Sequence, residues 1–293
     1  MIKDYIKTED LKFVVGLAAK FAKNKDPRIL GCFREGKVEI RRESWGRLTV
    51  CATDGARLAV TRQQGYKEGA EPWKVVFTYP EAKRLLELCK GSGGRLDIDV
   101  HPQNSGLAER LVSQGYVFKG LNERFPDFEK VQPETFETSV DLPSTFFKTL
   151  RQCIEKIETF TTKEKVMGKT LTHKIRTLQV SLEQGYIQIS KGQIGNVGED
   201  DKDVEKRRLP IYALHNTPEN ILSSVPLGYG GYNGEAISCS PIILNVDYLL
   251  EGVRGLGSDV TFHSNGPYKS LTFSDPSQQN AYILMPVKGS VYR

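Results

Sequence analysis

The residues best able to do chemistry in this sequence are cations outside the apolar stripes of predicted helices. In the first helical segment, lysines, glycine and alanine occupy the face opposite the stripe, and no acid lies there. The cations are Lys12, Lys20 and Lys23 in the first segment, Lys83, Arg84 and Lys90 in the second, and Lys148, Arg151 and Lys156 in the third. Ammonium and guanidinium groups bind phosphate without reading bases. The pattern favours a scaffold that aims cations at a polyanion.

Catalytic and metal-binding patterns are missing from the sequence. There is no GxSxG, GxxxxGK[ST] or HExxH motif, and the 4 histidines and 5 cysteines form no cluster with zinc spacing. The cysteines are odd in number and contain no CxxC, which is typical of reduced core thiols: Cys32, Cys51, Cys89, Cys153 and Cys239. We expect no catalytic residue, no metal and no cofactor. An enzyme with scattered catalytic residues stays open as a minor alternative.

Length and composition narrow the class of protein further. The chain has 293 residues, 39% hydrophobic and 26% charged, which predicts one large domain or two ordinary ones and excludes a disordered chain. No apolar run approaches the roughly 18 residues of a membrane-spanning helix. The start, Met1–Lys7, lacks the apolar region of a signal peptide. We therefore expect a cytoplasmic protein.

The order of predicted elements repeats once along the chain. A helix with the stripe Leu11, Val14, Val15, Ala18 and Ala22 is followed by strands, a helix opening at Pro80 and more strands. After the Pro-bounded segment 124–133, a helix at Pro143, strands, a fourth helix and strands follow. This predicts two copies of one α+β unit, at 1–133 and 134–293. An insertion at 199–238 is either a surface excursion or a partner contact.

Three segments carry a resemblance to a known family. They are Thr49–Val60 (TVCATDGARLAV), Arg124–Pro133 (RFPDFEKVQP) and Tyr282–Val287 (YILMPV), in that order. Together they resemble the bacterial sliding clamp, the β subunit of the replicative DNA polymerase. The resemblance covers the second and third domains of that three-domain clamp, and the first domain has no counterpart here. It implies an α+β fold of two clamp domains, each with two helices on antiparallel sheets, forming part of a ring.

The resemblance also implies a hydrophobic pocket for short peptide motifs, placed in the family between its last two domains. Carried onto this chain, the pocket residues are Leu30, Thr53, Gly55, Arg57, Leu58, Pro126, Lys130, Val131, Ile283, Leu284, Met285, Pro286 and Val287. Two residues depart from the family pattern, since Ala56 stands where the family often has histidine and Lys130 where it often has arginine. These departures affect motif preference more than the pocket itself. A plain core strand is the alternative for 283–287.

For the basic helices, the resemblance implies an inner wall around duplex DNA. The implied phosphate contacts are Lys12, Lys20, Lys23, Lys25, Lys83, Arg84, Lys148, Arg151, Lys156 and Arg254. The expected protein is a non-enzymatic, nucleoid-associated processivity clamp that closes as a homo-oligomer, with a trimer favoured over a dimer. Its expected partners are DNA, a polymerase and a clamp loader. The alternative is a clamp-like module that forms no ring, captures clamp-binding peptides and competes with a host clamp.

Overall fold

The computed structural model describes most of the chain, with gaps in the loops. The described residues are 1–23, 36–63, 69–102, 108–123, 125–131, 135–157, 159–166, 169–183, 186–191, 193–194, 211–212, 221–227, 239–266 and 269–285. The chain divides into two compact units. The first comprises Met1–Val131, Glu251–Gly257 and Ser274–Ile283, and the second Gln132–Leu250, Ser258–Phe273 and Leu284–Arg293. The boundaries 1–133 and 134–293 remain a prediction about domains.

The elements follow one another as the sequence periodicities predict, with additional strands. The first half contains β1 Ile2–Lys7, α1 Thr8–Phe21, β2 Val38–Arg42, β3 Leu48–Thr53, β4 Arg57–Arg62, β5 Trp73–Phe77, α2 Tyr79–Gly91, β6 Arg95–Pro102, β7 Ala108–Ser113, β8 Tyr116–Lys119 and a 3-10 turn at Phe128–Lys130. The second half contains β9 Thr138–Leu142, α3 Ser144–Ile154, β10 Phe160–Val166, β11 Lys169–Ile175, β12 Thr177–Glu183, β13 Tyr186–Lys191, β14 Gln193–Ile194, β15 Ile211–Tyr212, β16 Ile221–Pro226, β17 Cys239–Asn245, α4 Val246–Leu256, β18 Val260–Ser264, β19 Leu271–Ser274 and β20 Asn280–Leu284.

The first unit has two antiparallel sheets. One has the strand order β1-β6-β7-β8, and the other runs β5-β2-β3-β4 and continues from β4 to β20. Helix α1 packs against β3, β4 and α2. Strands β3 and β4 are almost wholly buried, and α1 packs against both of them. The strands thereby fix the ends of the turn at Asp54-Gly55, where β3 passes into β4.

Helix α1 is more deeply buried than its predicted stripe. Besides Leu11, Val14, Val15 and Ala18, the side chains of Phe13, Leu17 and Phe21 are buried, because sheet and helix cover different sides of it. Asp10 serves as the third helical residue rather than as the N-cap, and its carboxylate accepts the Lys7 N–H at 2.9 Å. The residues that α1 leaves exposed are Glu9 in its first turn and then Lys12, Gly16 and Lys20.

The other helices match their predicted stripes closely. In α2, which has proline in its first turn, the buried residues are Ala82, Leu85, Leu86 and Cys89, as the spacing predicts. In α3 the buried residues are Phe146, Leu150, Cys153 and Ile154. Pro143 precedes α3 as its N-cap residue instead of opening the helix. The fourth helix starts at Val246, where the Asn245 amide oxygen accepts the Asp247 N–H at 3.0 Å.

The second unit repeats the order of the first. Its sheet β16-β13-β12-β17 matches β8-β7-β6-β1, and β17 leads directly into α4 as β1 leads into α1. Strands β18 and β9 pair antiparallel, and β19 is the neighbour of β18 on its other side. The rings of Phe262 and Phe273 pack edge to face in its core, with centroids 5.5 Å apart. The fold class is α+β with two repeated units, as predicted.

One sequence prediction needs correction. Part of the predicted insertion 199–238 belongs to the sheet, since β16 at Ile221–Pro226 pairs with β13. Its glycine- and tyrosine-rich end, 228–234, lies outside the described residues. None of the helices in the described ranges combines the length and apolar character required to cross a lipid bilayer.

Candidate functional site

The turn between β3 and β4 is built by its own side chains. Thr53 donates its hydroxyl to the Arg57 carbonyl at 2.7 Å and accepts the Gly55 N–H at 3.0 Å. The Asp54 carboxylate accepts the N–H groups of Ala56 and Arg57 at 3.1 and 2.9 Å. Gly55 has φ +85°, a conformation that favours glycine. The turn is therefore rigid and presents Gly55 at the surface.

Arg57 supports this turn from inside the first unit. Its guanidinium donates to Oδ2 of Asp54 at 2.6 and 2.9 Å and to Oε2 of Glu251 on α4 at 2.5 Å. It also lies 4.8 Å above the ring of Phe21, the last residue of α1. Arg57 is only 3% exposed. The side chain predicted to line the pocket is thus a buried brace that ties the turn to α1 and α4.

The approach of α4 to this site depends on two glycines. A Cβ on Gly252 would lie 2.1 Å from the ring of Tyr282, and one on Gly255 would lie 2.7 Å from the ring of Phe13. These contacts bring the last turns of α4 against β20 and α1. They position Glu251 so that it reaches Arg57.

An apolar cluster lies next to the turn. Leu58 and Ile283 pack with Cys51, Val60 and Phe128 in the first unit, and Phe125 packs partly buried against them. Leu58 is 4% exposed and Ile283 1%. These two predicted pocket residues thus form a buried floor. Sequence reasoning did not place Phe125 and Phe128 in the site, although the RFPDF segment contains both.

The connector residues form the exposed part of the surface. Arg41 holds this segment, because its guanidinium lies 4.6 Å above the Phe128 ring and pairs with Glu129. Val131 remains 40% exposed and Pro126 is half-buried. Lys130 is exposed and pairs with Asp127 at 3.2 Å. The result is a shallow apolar surface with a charged rim.

The remaining predicted pocket residues lie either outside the described residues or in the second unit. Leu30, Pro286 and Val287 lie outside the described residues. Leu284 is buried and Met285 half-buried, and both belong to the second unit. Their role in a pocket remains a prediction.

The predicted phosphate contacts are exposed wherever the structure describes them. The exposed cations are Lys12, Lys20, Lys23, Lys83, Arg84 and Arg254 in the first unit, and Lys148, Arg151 and Lys156 in the second. Lys25 lies outside the described residues. Arg84 is the most constrained of them, since its guanidinium lies 5.5 Å from the Tyr116 ring and 5.4 Å from the Phe118 ring of β8. We therefore rank Arg84 below Lys83 as a phosphate ligand.

The described thiols are structural. Cys51, Cys89 and Cys153 are free and buried, which confirms the prediction of reduced core cysteines for these three. Burial raises the pKa of each thiol. Protonated, buried thiols make poor nucleophiles and poor metal ligands. Across the described ranges, no three histidine, cysteine, aspartate or glutamate side chains come together as a metal site.

Comparison with solved structures identifies the fold. The chain is similar to the DNA polymerase III β subunit of Pseudomonas aeruginosa, with a TM-score of 0.64 and 19% identity over 98% of this chain and 66% of that one. The DNA polymerase III β subunit of Caulobacter crescentus gives 0.63 and 18% identity over 98% and 66%. The β chain from Streptococcus pneumoniae gives 0.62 and 14% over 98% and 65%.

These similarities show the sliding-clamp fold. The chain spans about two thirds of the length of the clamps that it resembles. No protein-family model matches the sequence, and no curated protein matches it either. The sequence-based resemblance to bacterial sliding clamps is confirmed at the level of fold.

Proposed function

We propose that this chain is a DNA sliding clamp, a non-enzymatic processivity factor that encircles duplex DNA and tethers a polymerase. The observation that carries the proposal is a sliding-clamp fold whose helices expose lysine and arginine. The clamps it resembles are DNA polymerase subunits by description. Acting on DNA, the protein would work in the cytoplasm, at the nucleoid.

The exposed cations would hold DNA through its phosphates. Such contacts carry no sequence information, which suits a protein that slides. The proposed contacts are Lys12, Lys20, Lys23, Lys25, Lys83, Arg84, Lys148, Arg151, Lys156 and Arg254. No single cation is essential in this scheme, because many weak, exposed contacts share the affinity.

The apolar surface beside the Thr53–Leu58 turn would hold a short peptide from a polymerase or clamp loader. Gly55 allows a peptide backbone to approach, and Val131 and Pro126 offer exposed apolar contacts. Beneath them the buried floor of Leu58, Phe128 and Ile283 gives the surface a fixed shape. Thr53, Arg57 and Lys130 are proposed as its supporting and rim residues, with Leu30 and 284–287 as further members.

We propose assembly as a homo-oligomer from copies that each supply two clamp domains. Two clamp domains per subunit, at 1–133 and 134–293, would need three copies to supply six domains, and two copies would supply four. Head-to-tail contacts that close on rotation generate such rings. Strand β8 ends its sheet among the described strands and exposes Tyr116 and Val117, so it is the proposed contact edge in the first unit. A trimer is the favoured state.

Retention on DNA of different topologies tests the proposal. The protein is loaded onto nicked circular duplex and onto linear duplex of equal length, and the bound fraction is followed after a salt wash. A ring stays on the circle and slides off the linear ends. Equal loss from both, together with a mass of 32.9 kDa for one chain by light scattering, would favour the alternative of a peptide-capturing module that forms no ring.

A further inference from the structure

We propose that occupancy of the basic helices changes the affinity of the peptide surface, and that the Arg57–Glu251 ion pair carries this coupling. The inference rests on the proposed function, because it presumes both a DNA-binding face and a peptide surface. Its evidence is separate from that of the proposed function. It lies in how one buried arginine connects the two faces within the first unit.

Arg57 contacts both basic helices and the peptide turn at once. Its side chain meets Glu251 on α4 and the ring of Phe21 on α1, and its backbone N–H and side chain both bind Asp54. The next residue, Leu58, belongs to the apolar floor. A shift of either helix can therefore reach the floor through Arg57, in addition to the direct packing of α1 on β3 and β4, since the buried guanidinium cannot move into solvent to absorb it.

The proposed DNA contacts lie in the same helical turns as these partners. Lys20 precedes Phe21 and Lys23 follows it by two residues, and Arg254 lies three residues after Glu251 on α4. All three cations are exposed. Residues three apart on a helix are neighbours on its surface, so Arg254 projects close to Glu251.

The charges of the site give the coupling a direction. Lys20, Lys23 and Arg254 are exposed like charges at or near the residues that hold Arg57, and like charges repel one another. Phosphate neutralises these cations, so the two helix ends can close more firmly on the Arg57 guanidinium. The turn of residues 53–57 is then held in the conformation that presents Gly55 and the apolar floor. DNA should therefore strengthen peptide binding, and peptide should strengthen DNA binding by the same factor.

The experiment compares peptide affinity in two states of the full chain. A labelled peptide with a glutamine followed by spaced leucine and phenylalanine is titrated by fluorescence anisotropy, with and without a saturating short duplex. In the wild type the duplex should tighten the peptide Kd about threefold or more. In Glu251→Gln this ratio should fall to about one. Arg57→Lys, which keeps the charge but loses the forked hydrogen bonds, should behave like Glu251→Gln.

Asp247→Asn provides the matched control. Asp247 lies in the first turn of the same helix and pairs with Arg176, so the variant removes the same charge from α4 without touching the turn. It should keep the wild-type ratio. A wild-type ratio of one, or a Glu251→Gln ratio equal to that of the wild type, overturns the coupling while leaving the proposed function standing. A wild type that binds neither peptide nor duplex overturns the proposed function and the coupling together.

Discussion

Both oxygens of the Asp4 carboxylate accept hydrogen bonds of 2.8 Å from the guanidinium of Arg42. The side chains are 1% and 0% exposed. Oδ2 of Asp4 also accepts the indole N–H of Trp73 at 2.7 Å, and Arg42 donates further to the carbonyl of Gly46 and the amide oxygen of Gln63. Since Asp4 lies on β1 and Arg42 on β2, this network joins the two sheets of the first unit.

Removing one member of this pair should be costly. Asp4→Asn leaves a buried guanidinium without its counter-charge, and we expect the free energy of unfolding to fall by about 3–5 kcal/mol in a urea titration. The matched control is Asp97→Asn on β6, which breaks an exposed pair with Arg95. It should change stability by about 1 kcal/mol at most. An equal loss of unfolding free energy in both variants would mean that the buried Asp4–Arg42 pair stabilises the protein no more than the exposed pair does.

The close approach of α4 can be tested at its glycines. Gly252→Ala places a methyl group 2.1 Å from the Tyr282 ring, so the helix must move. Thermal unfolding should show that the free energy of unfolding falls by about 1–3 kcal/mol. Gly16→Ala is the control, because its Cβ meets no atom within 4 Å in the middle of α1. That variant should gain about 0.5–1 kcal/mol through helix propensity. A neutral Gly252→Ala would mean that α4 packs less tightly than the structure indicates.

Asp10 should make the free energy of unfolding depend on pH. Burial raises the pKa of its carboxyl from 3.8 to about 6. As pH rises, Asp10 therefore loses its proton at a lower pH in the unfolded chain than in the folded chain. Its contribution to the free energy of unfolding is complete below pH 3.8 and is lost as pH rises through about 6. Asp10→Asn should remove this dependence and gain up to about 3 kcal/mol relative to wild type between about pH 4 and 7. Parallel stability curves for the two proteins would contradict the assignment.

The basic faces predict a charge-dependent loss of DNA binding. Replacing Lys20, Lys23 and Lys148 with Glu should weaken duplex binding for any base sequence, since these side chains are exposed and face phosphate in the proposal. The slope of log Kd against log salt should shrink by about one for each lysine–phosphate interaction that is removed. Lys74→Glu is the control, because Lys74 is exposed but lies on β5 and outside the basic helices. Circular dichroism checks that the variants remain folded.

The peptide surface separates binding from stability at two positions. Val131→Asp changes an exposed side chain, so peptide binding should fall at least several-fold while the free energy of unfolding changes by about 0.5 kcal/mol or less. Leu58→Ala opens a cavity in the floor and should lower stability by about 2–5 kcal/mol. Peptide titration and urea unfolding of both variants test this division. If a folded Val131→Asp protein binds the peptide as tightly as the wild type, the connector does not belong to the peptide surface.

Local periodicity predicted the helices but not what they bury together. The α2 stripe follows from spacing alone, whereas the burial of Phe13, Leu17 and Phe21 in α1 requires knowing that sheet and helix cover different sides. Strands β1 and β9 were missed, because each is defined by a partner strand far along the chain, β6 and β18 respectively.

The Arg57 side chain shows most clearly what could not be predicted from the sequence. The sequence motif identified the turn, but Glu251 is separated from Arg57 by 194 positions and carries no local signal. The resemblance predicted Arg57 as a pocket-lining residue, and the structure shows that its side chain is 3% exposed. Only the tertiary fold decides which of two neighbouring residues faces a ligand.

The first unit draws on three separated stretches of chain, and this affects how it can be made. When a ribosome has finished residues 1–131, strand β4 still lacks β20, and α1 still lacks the last turns of α4. A nascent chain at that stage exposes an unpaired strand edge and the Phe13 ring, both liable to stick to other chains. Completion of this unit must wait for translation to pass Ile283.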